Sequence, residues 1–151
     1  MMAHHLAQLN IARAVAPLDD PRMADFIAQI DRINSLAERS PGFVWRLTTA
    51  DGKSSSYVRS FEDERMLVNL SVWESPDALK DFVFKAEHAH VMKDRRKWFE
   101  ASDLPYLVLW WIPAGHVPTV AEAMSRLRAL DENGPSGDAF DFKQVFAPPL
   151  D

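Results

Sequence analysis

The chain has 151 residues, 47% of them hydrophobic and 26% charged, which suits a single globular domain with a core of its own over residues 1–151. Its formal net charge of −5 leaves no concentrated basic surface for phosphate, so no nucleic-acid partner is expected. The absence of cysteine excludes disulfides, thiolate metal sites and a cysteine nucleophile. No apolar run reaches membrane-spanning length and MMAHHLAQ lacks a signal-peptide layout, so no membrane partner and a cytoplasmic location are expected.

In chain order, His5 to Arg13 alternates an apolar side against one carrying Gln8 and Asn10, the period of a strand. Asp19 or Asp20 caps the next element, with Pro21 in its first turn. Met23, Phe26, Ile27, Ile30, Ile33 and Ala37 then form a helical stripe that Ser40-Pro41-Gly42 stops. Phe43 to Thr49 predicts a second strand, with Phe43, Trp45 and Leu47 on one side and Val44, Arg46 and Thr48 on the other. Asp51-Gly52 turns the chain into a polar excursion that ends near Arg65. Met66 to Trp73 is the third strand, aliphatic on one face and carrying Asn69, Ser71 and Trp73 on the other, an expected cleft wall.

Ser75-Pro76-Asp77 opens a helix with the stripe Leu79, Phe82, Val83 and Ala86. A second stripe, His88, Val91, Met92, Arg95 and Phe99, is out of phase by roughly 200° and predicts a break near Glu87-His88. Pro105 to Pro113 is a fourth strand, apolar on both faces. Thr119 and Glu122 form a capping box before a third helix through Leu130, closed at Asn133-Gly134-Pro135. Phe140, Phe142 and Phe146 predict a short terminal strand or an aromatic clasp.

The order is α+β: a ferredoxin-like βαββαβ arrangement with a C-terminal α-β extension. Two helices cover one face of such a sheet. The face bearing Trp and amides then requires a second layer, supplied by a second copy of the chain or by the C-terminal extension.

The segments VNLSVWESPDALKDFVF, H-x-x-x-M-K-D-R-R-K-W-F and LWWIPAGHVPT resemble an uncharacterised family of the dimeric α/β-barrel superfamily, the group that contains antibiotic-biosynthesis-type monooxygenases. The resemblance runs from Leu6 to Phe146. It implies the dimeric α/β-barrel fold and a homodimer through the open sheet face, and it brings no established activity. Some members of the wider group oxidise polycyclic aromatics without metal or flavin. Others degrade haem with an Asn on strand one and a Trp and a His after strand three. Here Asn10 and His88 match in part, while Phe82 stands at the Trp position. No cofactor is therefore expected, and haem is the disfavoured exception.

The residues leave two readings open. In the first, a hydrophobic cleft binds a planar aromatic small molecule, either as a monooxygenase-like enzyme or as a binder. Asn10, His88 and Arg95 are then the catalytic candidates, and Gln8, Asn69, Ser71, Trp73, Trp110 and His116 line the ligand. In the second, the chain is a non-catalytic dimer whose cleft aromatic side chains fill. Three of the polar candidates also have a structural role open to them: Arg95 in an ion-pair network, His88 on loosened helix backbone, His116 tying down its loop. No metal site is expected, because His88 and His116 lack further ligands at suitable spacing.

Overall fold

Strand β1 (His4–Arg13) is the hub of the sheet, pairing antiparallel with both β3 (Met66–Trp73) and β4 (Leu107–Pro113), and β2 (Phe43–Arg46) adds to the far side of β3. The spatial order β2-β3-β1-β4 is that of the expected ferredoxin-like sheet. Among the described residues, three helices complete the α+β layout: α1 (Ala24–Glu38), α2 (Pro76–His88) and α3 (Val120–Asn133). This computed structural model describes residues 4–17, 19–47, 66–88 and 106–149, with residues 31 and 86–88 by their backbone alone. The polar excursion, Arg95 and the second helical stripe lie outside the described residues, as does the side chain of His88.

The predicted caps explain where the helices begin. The Asp20 carboxylate accepts a hydrogen bond from the Arg22 N–H at 2.8 Å and starts a short 3-10 turn, Pro21–Met23, that leads into α1. Hydrogen bonding from the Arg22 side chain holds the Asp20 carboxyl below its ordinary range. Ser75 Oγ accepts from the Ala78 N–H at the head of α2, and Thr119 Oγ1 from that of Glu122 at the head of α3. The capping box is only half made, however. The Glu122 carboxylate turns away from Thr119 and takes Trp110 Nε1–H at 2.9 Å and His116 Nε2 at 2.7 Å.

The two faces of the sheet carry separate cores. Ala7, Leu9, Val68, Leu70, Val72, Val108, Trp110 and Ile112 form the aliphatic face, against which α3 sets Ala123, Leu127 and Leu130. On the opposite face, Leu6, Trp73 and Leu109 pack with Ala37 of α1, Leu79 of α2 and Phe140 of the C-terminal segment. Further along that face, Leu67 meets Phe26 and Ile30 of α1. The sheet is therefore covered on both sides within one chain.

This corrects the expected assignment of faces. The helices α1 and α2 lie over the face that bears the amides, and the extension, as α3, lies over the aliphatic one. The reason is visible in the stripes: Trp73 and Leu6 offer α1 and α2 an apolar end as large as any on the other face. The C-terminal segment adds one further β-bridge, with Phe140 exchanging both backbone hydrogen bonds with Leu109 at 2.7 and 2.9 Å. Its clasp is aromatic, since the Phe140 ring lies 6.5 Å from Trp111 and 5.8 Å from Phe146. Among the described residues no helix is long and apolar enough to cross a membrane.

Candidate functional site

The pairing of the strands arranges the helix-covered face in rows. Trp111, Leu6, Trp73 and Phe43 stand side by side in one row; Leu109, Gln8, Ser71 and Arg46 form the next; Leu107, Asn10 and Asn69 follow. An apolar row under α2 thus gives way to a polar belt, and beyond the belt Leu67 restores apolar packing under α1.

Arg46 enters the belt because of a register shift between Phe43 and Trp45. A bulge puts one extra residue into a strand and reverses the alternation beyond it. Phe43 consequently packs with Trp73 on the helix side, whereas Trp45 and Leu47 pack on the aliphatic side. The expected grouping of Phe43 with Trp45 and Leu47 is overturned, and Arg46, expected on the side away from Phe43, is opposite Ser71 on the belt.

Within the belt the hydrogen bonds run in one direction. Asn10 Nδ2 donates to Gln8 Oε1 at 3.1 Å, and Gln8 Nε2 donates to Asn69 Oδ1 at 2.6 Å and Ser71 Oγ at 2.7 Å. Trp73 Nε1 donates to the same Ser71 Oγ at 2.9 Å. Gln8 is 3% exposed and Ser71 7%, so this is a buried network whose members fix one another. Asn10 and Asn69 are half-buried at its outer end.

Trp73 belongs to the wall and not to an open surface. Phe82 stacks on its face at 5.1 Å, Phe43 meets it edge-on at 5.4 Å, and its indole N–H is taken by Ser71. The Trp position after strand three that Phe82 occupies is therefore a packing position, and Trp73 acts on the belt through Ser71.

Two further polar groups complete the belt, and neither was expected in it. Arg46 is 16% exposed over its side chain and meets Glu38 of α1 through Nη2 at 3.3 Å, a long contact for an ion pair. Its Nε and Nη1 are buried without a partner. Asn34 is 8% exposed, and its Nδ2 is likewise buried and unpartnered. On α1 it stands four residues after Ile30, which packs toward Leu67, and three before Ala37, which packs toward Trp73, so helical spacing directs it at the polar rows between them. Asn34 could have been found in the sequence as the one amide inside an otherwise apolar stripe. Arg46 could not, because the bulge that turns it leaves no mark in the alternation.

The remaining candidates fall elsewhere. Trp110 is on the aliphatic face, and His116 lies in the loop before α3; Glu122 ties the two together, away from the amides. The structure thus gathers Gln8, Asn10, Asn69, Ser71 and Trp73 and separates Trp110 and His116 from them. Among the described residues no three His, Asp or Glu side chains come close enough to hold a metal ion.

A four-stranded antiparallel sheet in the order β2-β3-β1-β4, with α1 and α2 on one face, defines the class: a ferredoxin-like α+β protein. Over residues 5–151 the chain matches the family described as a domain of unknown function, DUF3291, and it belongs to that family. None of the curated proteins matches it in sequence. Among solved structures it is similar to SnoaB, a cofactor-independent oxygenase from Streptomyces nogalater, with a TM-score of 0.50 and 16% identity over 76% of this chain and 97% of that one. NE2512, a protein of unknown function from Nitrosomonas europaea, aligns with a TM-score of 0.47 and 14% identity over 77% of this chain and 96% of that one.

Proposed function

We propose that this chain is a small-molecule protein of the cofactor-independent oxygenase type, which holds a planar aromatic ligand between its helix layer and the polar belt of its sheet. One observation carries the reading. Among the described residues, three donor nitrogens, Arg46 Nε, Arg46 Nη1 and Asn34 Nδ2, are buried in this layer without acceptors. Leaving a buried donor unsatisfied costs about 1–3 kcal/mol. A ligand that supplies acceptors there removes that cost, and the apolar rows on either side of the belt suit a flat ring.

Asn10 and Asn69, half-buried at the outer end, would meet the ligand's polar edge, while Gln8 and Ser71 hold the two asparagines and Trp73 in place. The oxygenase part of the reading rests on likeness of fold to SnoaB. His88 and Arg95, as catalytic groups at the end of α2 and beyond it, remain part of the proposal. Haem does not fit it: Phe82 stands at the position where haem-degrading relatives carry Trp, and its ring is committed to Trp73.

A homodimer belongs to the same reading, in a changed place. Val68, Leu70 and Val72 are already buried within one chain, so a second copy is not needed to cover them. The half-buried Ile11 on β1, Trp45 on β2 and Leu47 just after it are apolar side chains of the aliphatic face that a partner could cover.

The second reading, a non-catalytic dimer with a filled cleft, is favoured by the stacking of Phe82 on Trp73, which closes the aromatic end of the face. A thermal-shift screen against planar phenols, quinones and tetrapyrroles separates the two. The proposal predicts a concentration-dependent rise in Tm with a phenol or quinone, lost in the Asn10→Ala, Asn69→Ala double variant. A uniformly flat screen favours the filled cleft, and a rise with haemin alone contradicts the cofactor-free reading.

A further inference from the structure

We infer that Arg46 anchors an oxyanion of the ligand, so that the belt selects planar aromatic acids, either carboxylates or ionised phenols and enols, over their neutral counterparts. The inference rests on the ligand site proposed above and names the chemistry that the site would choose.

Arg46 is the guanidinium of the belt, and a cation so far removed from water needs close pairing. Glu38 gives it little. Its carboxylate is 50% exposed and touches only Nη2, at 3.3 Å, against the 2.7–2.9 Å typical of a charge-assisted bond. Nε and Nη1 have no acceptor among the described residues.

Direction of hydrogen bonding gives the second line. Ser71 Oγ accepts from both Gln8 and Trp73, so its own hydroxyl proton is left to donate. Asn69 Oδ1 is taken by Gln8, which leaves its amide N–H groups. The buried atoms of this layer that lack partners, those of Arg46 and Asn34, are donors too. Beside Arg46, Ser71 stands directly across from it in the β2–β3 pairing. A cation next to a hydroxyl and amide donors is complementary to a negatively charged oxygen. A neutral amide or ether would satisfy one donor and leave the charge uncompensated.

Glu38 gives the inference a consequence that mere structural support by Arg46 would not have. It competes with the ligand's oxyanion for the same guanidinium, so removing its charge strengthens binding of an acid.

Calorimetric titration tests this with two matched pairs of probes: 2-naphthoate against 2-naphthamide for a carboxylate, and 4-nitrophenolate against 4-nitroanisole for an ionised phenol. In the unmodified protein the anion of at least one pair binds about tenfold or more tighter than its neutral partner. Arg46→Gln brings the two affinities of that pair together. Glu38→Gln tightens the anion by roughly two- to fivefold and leaves the neutral probe unchanged. Melting of the unliganded variants shows that they fold. Glu38 is half exposed, so its variant keeps the test alive if Arg46→Gln does not fold. Equal affinities within both pairs, a uniform loss with Arg46→Gln, or no gain with Glu38→Gln overturns the inference while the ligand site stands. Failure of all four probes to bind removes the site and the inference together.

Discussion

At the scale of single residues, Ser71 is the joint of the belt. Its one oxygen receives the Gln8 amide and the Trp73 indole, and both donors are buried with it. Ser71→Ala strips Trp73 of its acceptor, whereas Gln8 keeps Asn69. The expected loss is about 1–3 kcal/mol in urea unfolding, the cost of a buried unpaired donor, with a displaced Trp73 indole N–H resonance. A variant as stable as the parent would show that water takes over at this point. The candidate site was partly legible at this scale. Gln8, Asn10, Asn69 and Ser71 alternate with aliphatic residues on their strands, and an amide in that position must be satisfied or used. Trp110 was misplaced because strand four is apolar on both faces, so alternation alone could not say which side held the amides.

At the scale of elements, β2 and its approach decide the most. Gly42 has φ +84°, and a Cβ there would run into the Cβ of Ala78 on α2. The turn after α1 therefore brings β2 and α2 together more closely than any side chain allows, and the Gly42 carbonyl accepts the Glu74 N–H at 2.7 Å. Gly42→Ala is expected to cost about 1–3 kcal/mol in chemical denaturation, from overpacking added to left-handed strain. Pairing it with Ala78→Gly should recover only part of that loss, because the strain remains after the clash is gone. Full recovery would contradict the left-handed strain, and a neutral Gly42→Ala or no recovery at all would contradict the close approach. Helix starts at Asp20, Ser75 and Thr119 were legible from caps, since the cap is a local bond between neighbours. The bulge in β2 was not, because it depends on the partner strand, and it alone carries Arg46 into the site. The Glu122 carboxylate was misread for a similar reason: Trp110 and His116 reach it across the fold and outcompete the local capping partner.

At the scale of the whole molecule, both faces of the sheet are covered by its own chain, and the unpaired donors of Arg46 and Asn34 lie between the layers. The ferredoxin-like order followed from the sequence because strand and helix periods are strong over most elements. Which face the helices would choose did not follow, since both faces offer bulky apolar rows and the polar belt is narrow enough to be buried. The belt with its unpaired donors is the central claim, and side-chain NMR tests it most directly. On titration with 2-naphthoate and, separately, with 4-nitrophenolate, the amide N–H resonances of Gln8, Asn34 and Asn69 and the Arg46 Nε–H should move together along one saturation curve for at least one of the two. If in both titrations these resonances stay fixed while others shift, or if nothing saturates, the belt is only part of the core and the account of this protein as a ligand binder is wrong.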